Sequence, residues 1–316
     1  MAVLHSHLLA VAFLNGCDHG HPETHDGGVE RARWNGPAPD IGFGSRLATD
    51  GVRVFAGSPL GARVDELEED GRLTAAGSGG PGSFYGAGLL IVEGVPLVGA
   101  PGVGELSRNA TIVAQEAGLG GVVAAGPGGW VASTSSGWLA GDGSRLDVGR
   151  RPDTLLDVAG VGVVAGASLG PHSLWRADGW ALPREVPGDG LGFALIECPD
   201  AEVQARLILG APGVGSLTAL GLAERIGPLA GRFGAAIACG STPGTLWVGA
   251  PATADHAGAL YRIDAWTTVT QVLAGGPLDE LGTAVVVADG RVFVGAPGAA
   301  NMRGYVLAVP EAELMP

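Results

Sequence analysis

The sequence contains no lysine and little charge of any kind. All 18 basic residues are arginine, against 32 acidic ones, so the formal net charge is -14 and the pI is near 4.8. A cationic surface that binds nucleic acid by neutralising phosphates is therefore not expected. The lack of lysine also excludes a Gly-x-x-x-x-Gly-Lys phosphate loop, and the sequence has neither a His-Glu-x-x-His zinc motif nor a Cys-x-x-Cys pair.

Long apolar runs are missing as well. The N-terminal run Leu8 to Leu14 has seven residues, which is too short to cross a bilayer as a helix. The segment Leu14-Asn15-Gly16-Cys17 follows it and is similar to a bacterial lipobox with Cys17 as the acylated residue. Residues 1–28 are predicted to be a signal segment and a linker, which would tether the protein to a membrane through lipid alone. The alternative is an unprocessed tail or a misassigned start.

The expected location is the cell envelope or the extracellular space, or the cytoplasm if the signal is not used. Five of the seven histidines lie in the first 25 residues, and three of them fall in the acidic run from Asp18 to Asp26. Such a run could bind a transition metal, but nothing fixes the geometry of a specific site. We interpret it as a hydrated linker and predict neither a metal site nor a cofactor.

The sequence is rich in a repeated glycine motif. Seven short apolar runs end on Gly-(Ala/Ser)-(Pro/Ser) or a weaker copy of it, at intervals averaging about 40 residues, the length of a four-stranded propeller blade. The copies are Gly57-Ser58-Pro59, Gly99-Ala100-Pro101, Ala132-Ser133-Thr134, Gly166-Ala167-Ser168, Gly210-Ala211-Pro212, Gly249-Ala250-Pro251 and Gly295-Ala296-Pro297. We expect these glycines to serve packing rather than catalysis.

A second motif precedes the first in most units. It is an aromatic residue or leucine followed by glycine: Phe43-Gly44, Tyr85-Gly86, Leu119-Gly120, Leu191-Gly192, Phe233-Gly234 and Leu281-Gly282. In three units the two motif glycines are 13 residues apart, as in Gly44 to Gly57. The fourth unit lacks this pair, yet the step from Asp153 to Gly166 keeps the 13-residue interval. It is interpreted as a diverged copy.

Within each unit the pattern predicts strands. Apolar runs such as Ala284 to Val287 alternate with turn signals such as Asp50-Gly51 and Asp289-Gly290, which favour tight hairpins. The predicted fold is all-β, a seven-bladed β-propeller of four-stranded antiparallel blades over residues 29–316. The last unit lacks a fourth strand, so the N-terminal segment 29–34 is predicted to pair with it and close the ring.

The paired motifs resemble the FG-GAP repeat family, which includes the integrin alpha-subunit propeller. The residues that carry the resemblance are Phe43-Gly44 with Gly57-Ser58-Pro59, Tyr85-Gly86 with Gly99-Ala100-Pro101, Phe233-Gly234 with Gly249-Ala250-Pro251, and Leu281-Gly282 with Gly295-Ala296-Pro297. The resemblance implies a seven-bladed propeller used for recognition. The family often has an Asp-x-Asp-x-Asp-Gly calcium loop, whereas each corresponding loop here has at most two acids. No blade calcium site is predicted, and Asp50 and Asp289 are interpreted as turn formers.

The predicted function is recognition or scaffolding without catalysis, by a monomer that binds a protein or glycan partner. The alternative is a secreted hydrolase or lyase acting on a polymer. The binding face is expected where loops lead into each first strand and follow each second strand. Its candidate residues are Arg150, Arg151, Trp175, Asp189, Arg232, Asp255, His256, Asp279, Glu280, Asn301 and Arg303.

Two further cysteines occupy corresponding places in adjacent units. Cys198 and Cys239 each follow the first predicted strand of a unit, six and five residues after the upstream glycines 192 and 234. Equivalent positions on neighbouring blades lie on the same face of the ring. The spacing therefore allows a disulfide in an oxidising compartment, with two buried free thiols as the alternative.

Overall fold

The computed structural model describes residues 31–37, 42–158, 161–169, 172–176, 181–183, 190–198, 206–219, 225–227 and 229–315. The predicted signal segment and linker, residues 1–28 with Cys17, lie outside the described residues. The described strands form seven antiparallel sheets of four strands each. The predicted seven-bladed, all-β propeller is confirmed.

The first three blades follow the chain in order, from the inner strand to the outer one. Blade one contains β2 (Arg46–Thr49), β3 (Val54–Ser58), β4 (Arg63–Leu67) and β5 (Leu73–Ser78). Blade two contains β6 (Gly88–Val92), β7 (Val95–Ala100), β8 (Glu105–Arg108) and β9 (Thr111–Gln115). Blade three contains β10 (Val123–Ala124), β11 (Val131–Ser133), β12 (Gly137–Ala140) and β13 (Arg145–Asp147), with a short 3-10 helix at Pro127–Gly129.

The next three blades repeat this arrangement. Blade four contains β14 (Thr154–Val158), β15 (Gly162–Gly166), β16 (His172–Arg176) and β17 (Ala181–Pro183). Blade five contains β18 (Ala194–Cys198), β19 (Arg206–Ala211), β20 (Ser216–Ala219) and β21 (Arg225–Ile226). Blade six contains β22 (Ala236–Cys239), β23 (Thr245–Ala250), β24 (Ala259–Asp264) and β25 (Thr268–Ala274), with a helical turn α1 (Thr253–His256).

Blade seven closes the ring. It contains β26 (Ala284–Ala288), β27 (Arg291–Ala296), β28 (Tyr305–Pro310) and the N-terminal β1 (Ala32–Asn35), with a helical turn α2 (Ala299–Met302) and a 3-10 helix at Glu311–Leu314. The strand β1 pairs with β28 from Ala32 opposite Ala308 to Asn35 opposite Tyr305. The predicted closure by the N-terminal segment is thus confirmed. It covers the edge of β28 that would otherwise be open to pairing with another chain.

The repeated glycines lie where neighbouring blades touch. A Cβ atom on Gly99 would lie 1.9 Å from the carbonyl oxygen of Gly120 in the next blade, so no side chain fits there. Six junctions place a glycine of the downstream motif against a glycine of the upstream motif: Gly57 with Gly86, Gly99 with Gly120, Gly166 with Gly192, Gly210 with Gly234, Gly249 with Gly282, and Gly295 with Gly44. The upstream glycines have φ between 82° and 92°, the left-handed region. The two motifs of the repeat are therefore the two halves of one contact between blades.

The core is divided among the blade interfaces. The described residues form seven clusters of buried apolar side chains, and each cluster joins two neighbouring blades. The cluster at the ring closure contains Trp34 of β1, Phe43 and Phe293, and the rings of Trp34 and Phe293 lie 5.9 Å apart. Burial of apolar area thus holds each blade to the next, around the whole ring.

Polar and covalent links support two of these interfaces. Glu311, which is 4% exposed, accepts hydrogen bonds from the indole Nε1 of Trp247 at 2.7 Å and from the backbone N of Ser241 at 3.1 Å. These bonds connect the C-terminal 3-10 helix to blade six. Cys198 and Cys239 form a disulfide between blades five and six, with Cα atoms 5.5 Å apart. No helix within the described ranges has the length and hydrophobicity needed to span a membrane.

Candidate functional site

The inner strands enclose a central channel that opens on one face of the ring. A cavity of about 350 Å³ occupies the channel, and all seven blades contribute to its wall. The lower wall is apolar because Leu47, Leu89, Val123, Leu195 and Ile237 line it. The polar and charged lining residues are Ser45, Arg46, Asp153, Thr154, Arg232, His256, Glu280 and Thr283. We refer to this set, together with the adjacent Arg151, as the channel mouth.

Four residues of the predicted binding face belong to the channel mouth: Arg232, His256 and Glu280 line the cavity, and Arg151 is adjacent to it. Arg232, in the loop that leads into β22, lies with its guanidinium carbon 5.5 Å from the ring centre of Phe193, within the range of a cation–π contact. His256 and Glu280 come from blade six and the loop into blade seven. The Nδ1 atom of His256 lies 3.6 Å from the Oε1 atom of Glu280, and the backbone N of Glu280 donates to the carbonyl of His256 at 2.8 Å.

The turn that carries His256 has an unusual backbone. Ala254, Asp255 and His256 have φ of 45°, 57° and 64°, so three consecutive non-glycine residues are left-handed. Each such residue costs of order 1 kcal/mol because its Cβ crowds the following carbonyl. The related turn α2 is built in the same way, with Asn301 at φ 61°. Both turns project exposed side chains, Asp255 and Asn301, from the face that the sequence analysis predicted for binding.

Arg46 is a charged residue in a layer of small ones. It opens β2, where its Nε atom donates to the carbonyl of Ala87 at 3.0 Å and a terminal nitrogen donates to the carbonyl of Ser45 at 2.9 Å. The corresponding inner-strand positions in the other blades are Gly88, Val122, Thr154, Ala194, Ala236 and Ala284. Arg46 is exposed to the solvent of the channel, but the surrounding ring of protein still lowers its pKa by desolvation; the cation of Arg151 lowers it further, and Asp153 acts in the opposite direction.

Asp153 lies at the junction between blades three and four, where the glycine contact is absent. Its backbone N donates to the carbonyl of Gly166 at 2.9 Å, the bond that Gly86 makes with Gly99 in blade two. Asp153 therefore occupies the place of an upstream glycine, as the 13-residue interval predicted. On the blade-three side, Ser133 replaces the downstream glycine, and its carbonyl accepts from Gly120 at 2.9 Å. The two positions that are glycines at the other six junctions are thus polar residues here.

Ser168 completes this polar junction. Its backbone N and its hydroxyl both bond to Oδ2 of Asp153, at 2.6 and 2.7 Å. The string Gly166-Ala167-Ser168-Leu169-Gly170 matches the Gly-x-Ser-x-Gly pattern of serine hydrolases. In those enzymes the serine lies on a turn between a strand and a helix, whereas Ser168 follows strand β15 of a blade hairpin. The string is the fourth copy of the blade motif, with serine in place of proline.

Other residues of the predicted face have structural partners. The Asp279 carboxylate accepts from the backbone N of Gly276 and the hydroxyl of Tyr305, both at 2.9 Å. Arg303 donates to the carbonyl of Gly36 at 2.9 Å and so joins the N-terminal segment to blade seven. Arg150 donates to the carbonyl of a loop residue that follows Ser168. These side chains stabilise the loops that surround the channel.

Trp175 corrects one part of the prediction. It was expected in a loop on the binding face, but it lies in β16, opposite Ala165, and is 8% exposed. Alternation along the strand directs it between blades, so it belongs to the core. Asp189 and Cys17, two other predicted site residues, lie outside the described residues.

Asp50, which was interpreted as a turn former, accepts hydrogen bonds within the turn between β2 and β3. The Oδ1 atom of Asp50 accepts hydrogen bonds from the backbone N of Val52 at 3.1 Å and from the backbone N of Arg53 at 2.8 Å. The hydrogen bonds from the backbone and the side chain of Arg53 lower the pKa of Asp50. The role of Asp50 in the β2–β3 turn is confirmed. In the part of the chain that the structure describes, no three His, Cys, Asp or Glu side chains converge as metal ligands would.

The fold and the channel mouth define a class of protein, the seven-bladed propeller with four-stranded blades. No protein-family model matches the sequence, and a search of curated proteins found no match. Solved structures share the fold. Virginiamycin B lyase from Staphylococcus aureus is 13% identical with a TM-score of 0.67, over 89% of this chain and 98% of that one.

Three further structures share the fold. A catalytically inactive histidine-to-alanine variant of the same lyase, with quinupristin, gives a TM-score of 0.68 at 12% identity, over 89% of this chain and 98% of that one. YCF48 bound to D1 peptide gives 0.55 at 16% identity, over 88% of this chain and 96% of that one. The WD40 propeller domain of Doa1 gives 0.64 at 11% identity, over 88% and 94%. At these identities the likeness concerns the fold alone.

Proposed function

We propose that this chain is a recognition propeller that binds a protein or glycan partner over the channel mouth. The observation that carries the proposal is the convergence of charged side chains from different blades on one opening. Arg46, Asp153 and Glu280 come from blades one, four and seven, and Arg232 and His256 flank them. A rigid ring that presents separate polar groups around an apolar channel is the usual form of a ligand site.

The proposal rests on the spacing of these groups. The one titratable pair at the channel mouth that approaches an ion pair is His256 with Glu280, 3.6 Å apart, and both side chains are well exposed at 59% and 43%. Exposed charges of this kind give a partner orientation and specificity. The FG-GAP-like motifs add support by resemblance, as does YCF48, a propeller of the same fold that binds a peptide.

The test is a binding screen of the purified full chain against a glycan array and a displayed peptide library. Arg232→Ala and His256→Ala remove groups from the channel mouth, and Arg72→Ala is the matched control, because Arg72 is 78% exposed and pairs with Asp70 on the outer β4–β5 turn. We expect ligands selected by the wild type to be lost in the two mouth variants and kept in the control. Equal binding by all four proteins would show that another surface is used.

A lyase is the second candidate function, and His256 with Glu280 favours it. A carboxylate beside Nδ1 would orient the imidazole and leave Nε2 to accept a proton from substrate carbon. One structural neighbour is a lyase whose histidine-to-alanine variant is catalytically inactive. Conversion of quinupristin by the wild type but not by His256→Ala, followed by mass spectrometry and chromatography, would support this function. Unchanged quinupristin would count against it.

We also propose that the propeller is an envelope lipoprotein of the FG-GAP type, anchored through Cys17. The lipobox-like segment before Cys17 motivates this assignment. Intact mass and fractionation of the wild type and Cys17→Ala in a bacterial host provide the test. A diacylglycerol mass and membrane association, both lost in the variant, are expected. An unmodified, soluble, full-length chain would contradict the assignment.

A further inference from the structure

Two arginines at the channel mouth, Arg46 and Arg151, have no carboxylate within ion-pair distance among the described residues. Other arginines form ion pairs within 4.0 Å, among them Arg53 with Asp50, Arg63 with Asp65, Arg72 with Asp70, Arg108 with Glu93, Arg145 with Glu116 and Arg262 with Asp264. In the described part of the chain, Arg46 and Arg151 have no such pair. In a protein of net charge -14, two unpaired cations close together are unexpected.

These two cations belong to blades on opposite sides of the ring. Arg46 belongs to blade one, and Arg151 precedes β14 of blade four, three blades away around the ring. A Cβ atom on Gly121 would lie 3.3 Å from Cδ of Arg151, so Arg151 packs on the junction between blades three and four. Arg46 and Asp153 line the same cavity, and Arg151, two residues before Asp153, is near enough to lower the pKa of Arg46.

Asp153 does not neutralise this pair fully. Its Oδ2 atom already accepts two hydrogen bonds from Ser168, and the site carries two guanidinium charges against one carboxylate. Below the guanidinium groups the channel wall consists of apolar side chains, among them Leu47, Leu89 and Val123. The site therefore combines a surplus positive charge at the opening with an apolar cavity of about 350 Å³ beneath it.

Resting on the proposed recognition function, we propose that Arg46 and Arg151 bind the carboxylate of a ligand whose apolar group enters the channel. Planar guanidinium groups bind carboxylates through paired, charge-assisted hydrogen bonds. A cavity near the lower end of the range for ligand sites accommodates a small apolar acid or the end of a peptide chain. The junction of blades three and four has polar residues at the positions that are glycines in the other six junctions. These polar residues serve this site.

Isothermal titration of the full chain at low salt with N-acetyl-leucine and N-acetyl-leucinamide tests the proposal. The two probes differ in charge and share the apolar group. We expect the acid to bind at least about tenfold more tightly than the amide, in keeping with the strength of hydrogen bonds to charged groups. Equal binding of acid and amide, or no binding of either probe, would overturn the assignment.

Variants identify the residues. Arg151→Gln is the principal variant, because within the described residues its guanidinium makes no hydrogen bond that folding would miss. Arg46→Gln and Arg46→Lys compare loss of the charge with loss of the planar fork, and Arg72→Gln is the surface control. Each Gln variant should weaken the acid about tenfold without changing the amide. Wild-type affinity of Arg151→Gln for the acid would overturn the proposal.

A six-residue peptide ending in leucine, as the free acid and as the amide, separates the two sources of the carboxylate. Tighter binding of the peptide acid than of N-acetyl-leucine assigns the site to a chain end, and equal binding assigns it to a small acid. If the probes fail while array ligands are still lost in Arg232→Ala, recognition stands and the carboxylate assignment falls. If the probes bind and the screen yields no ligand, the proposed partner recognition falls instead.

Discussion

Replacement of Gly99 by alanine should destabilise the propeller strongly. The added Cβ would lie 1.9 Å from the carbonyl oxygen of Gly120, whereas an ordinary contact begins at 3.4 Å, so blade three would have to move by about 1.5 Å. Gly99 has no left-handed φ, and alanine is therefore compatible with its backbone. Overpacking costs about 1–3 kcal/mol, and a clash with backbone belongs at the upper end. Lower entropy of the unfolded chain offsets about 0.4–1 kcal/mol of this.

Urea unfolding followed by tryptophan fluorescence measures the effect. Gly80→Ala is the matched control, since a Cβ on Gly80 meets nothing within 4 Å and its φ is not left-handed. We expect Gly99→Ala to lose about 2–3 kcal/mol of unfolding free energy, with a midpoint of thermal unfolding lower by roughly 5 °C, and the control to change by less than about 0.5 kcal/mol. The slope of free energy against urea should stay constant.

The same reasoning ranks the other junctions. Gly249→Ala, also at 1.9 Å from the facing carbonyl, should match Gly99→Ala, and Gly57→Ala, at 2.5 Å, should cost less. If Gly99→Ala were as stable as Gly80→Ala, the glycine pairs would not be contacts that set the spacing of the blades. The two motifs of the repeat would then not be the two halves of one contact between blades.

Three further predictions concern links between distant parts of the chain. Replacing both Cys198 and Cys239 by alanine opens a covalent loop of sequence separation 41. The unfolding free energy measured in urea should fall by about 4 kcal/mol. An unchanged free energy would show that the disulfide does not constrain the unfolded chain. Glu311→Gln should lower the unfolding free energy by about 2 kcal/mol and shift the fluorescence of Trp247, because the amide nitrogen of glutamine would face one of the two N–H donors of Trp247 and Ser241. An unchanged fluorescence spectrum would contradict the buried hydrogen bonds. Burial and the hydrogen bond to a carboxylate raise the pKa of Tyr305. Its contribution to stability is therefore complete below pH about 10 and falls as the pH rises further. Tyr305→Phe should remove this alkaline slope of stability against pH, and an identical slope in the variant would refute the assignment.

The fold was largely predictable because a repeat reports its own period. The paired motifs, the diverged fourth unit at Asp153 and the pairing of the N-terminal segment with the last blade all agree with the structure. Equivalent positions on adjacent blades lie on the same face, which is why the Cys198–Cys239 disulfide was allowed by spacing alone. Ring symmetry converts regular intervals in sequence into regular positions in space.

The channel mouth was predicted only in part. Arg151, Arg232, His256 and Glu280 were found from loop position, but Arg46 was missed because it opens a strand and its electrostatic partners belong to blade four. The available signal was its departure from the small residues at the matching position in other units. Trp175 was predicted in a loop, because the turn residues around it indicated that no strand had begun, but strand β16 starts at His172 and includes it.

The closing strand has a consequence for biosynthesis. Ala32 leaves the ribosome early, but its partner Ala308 is made about 275 residues later, so the first strand of the fold is left without a sheet during most of translation. Blade interfaces one through six can assemble in order, since each needs only the segment just made. The seventh needs both extremes of the chain at once, and this long-range step is expected to be slow. For most of its synthesis the protein is therefore an open arc with two exposed edges, and it becomes a ring only in a final event.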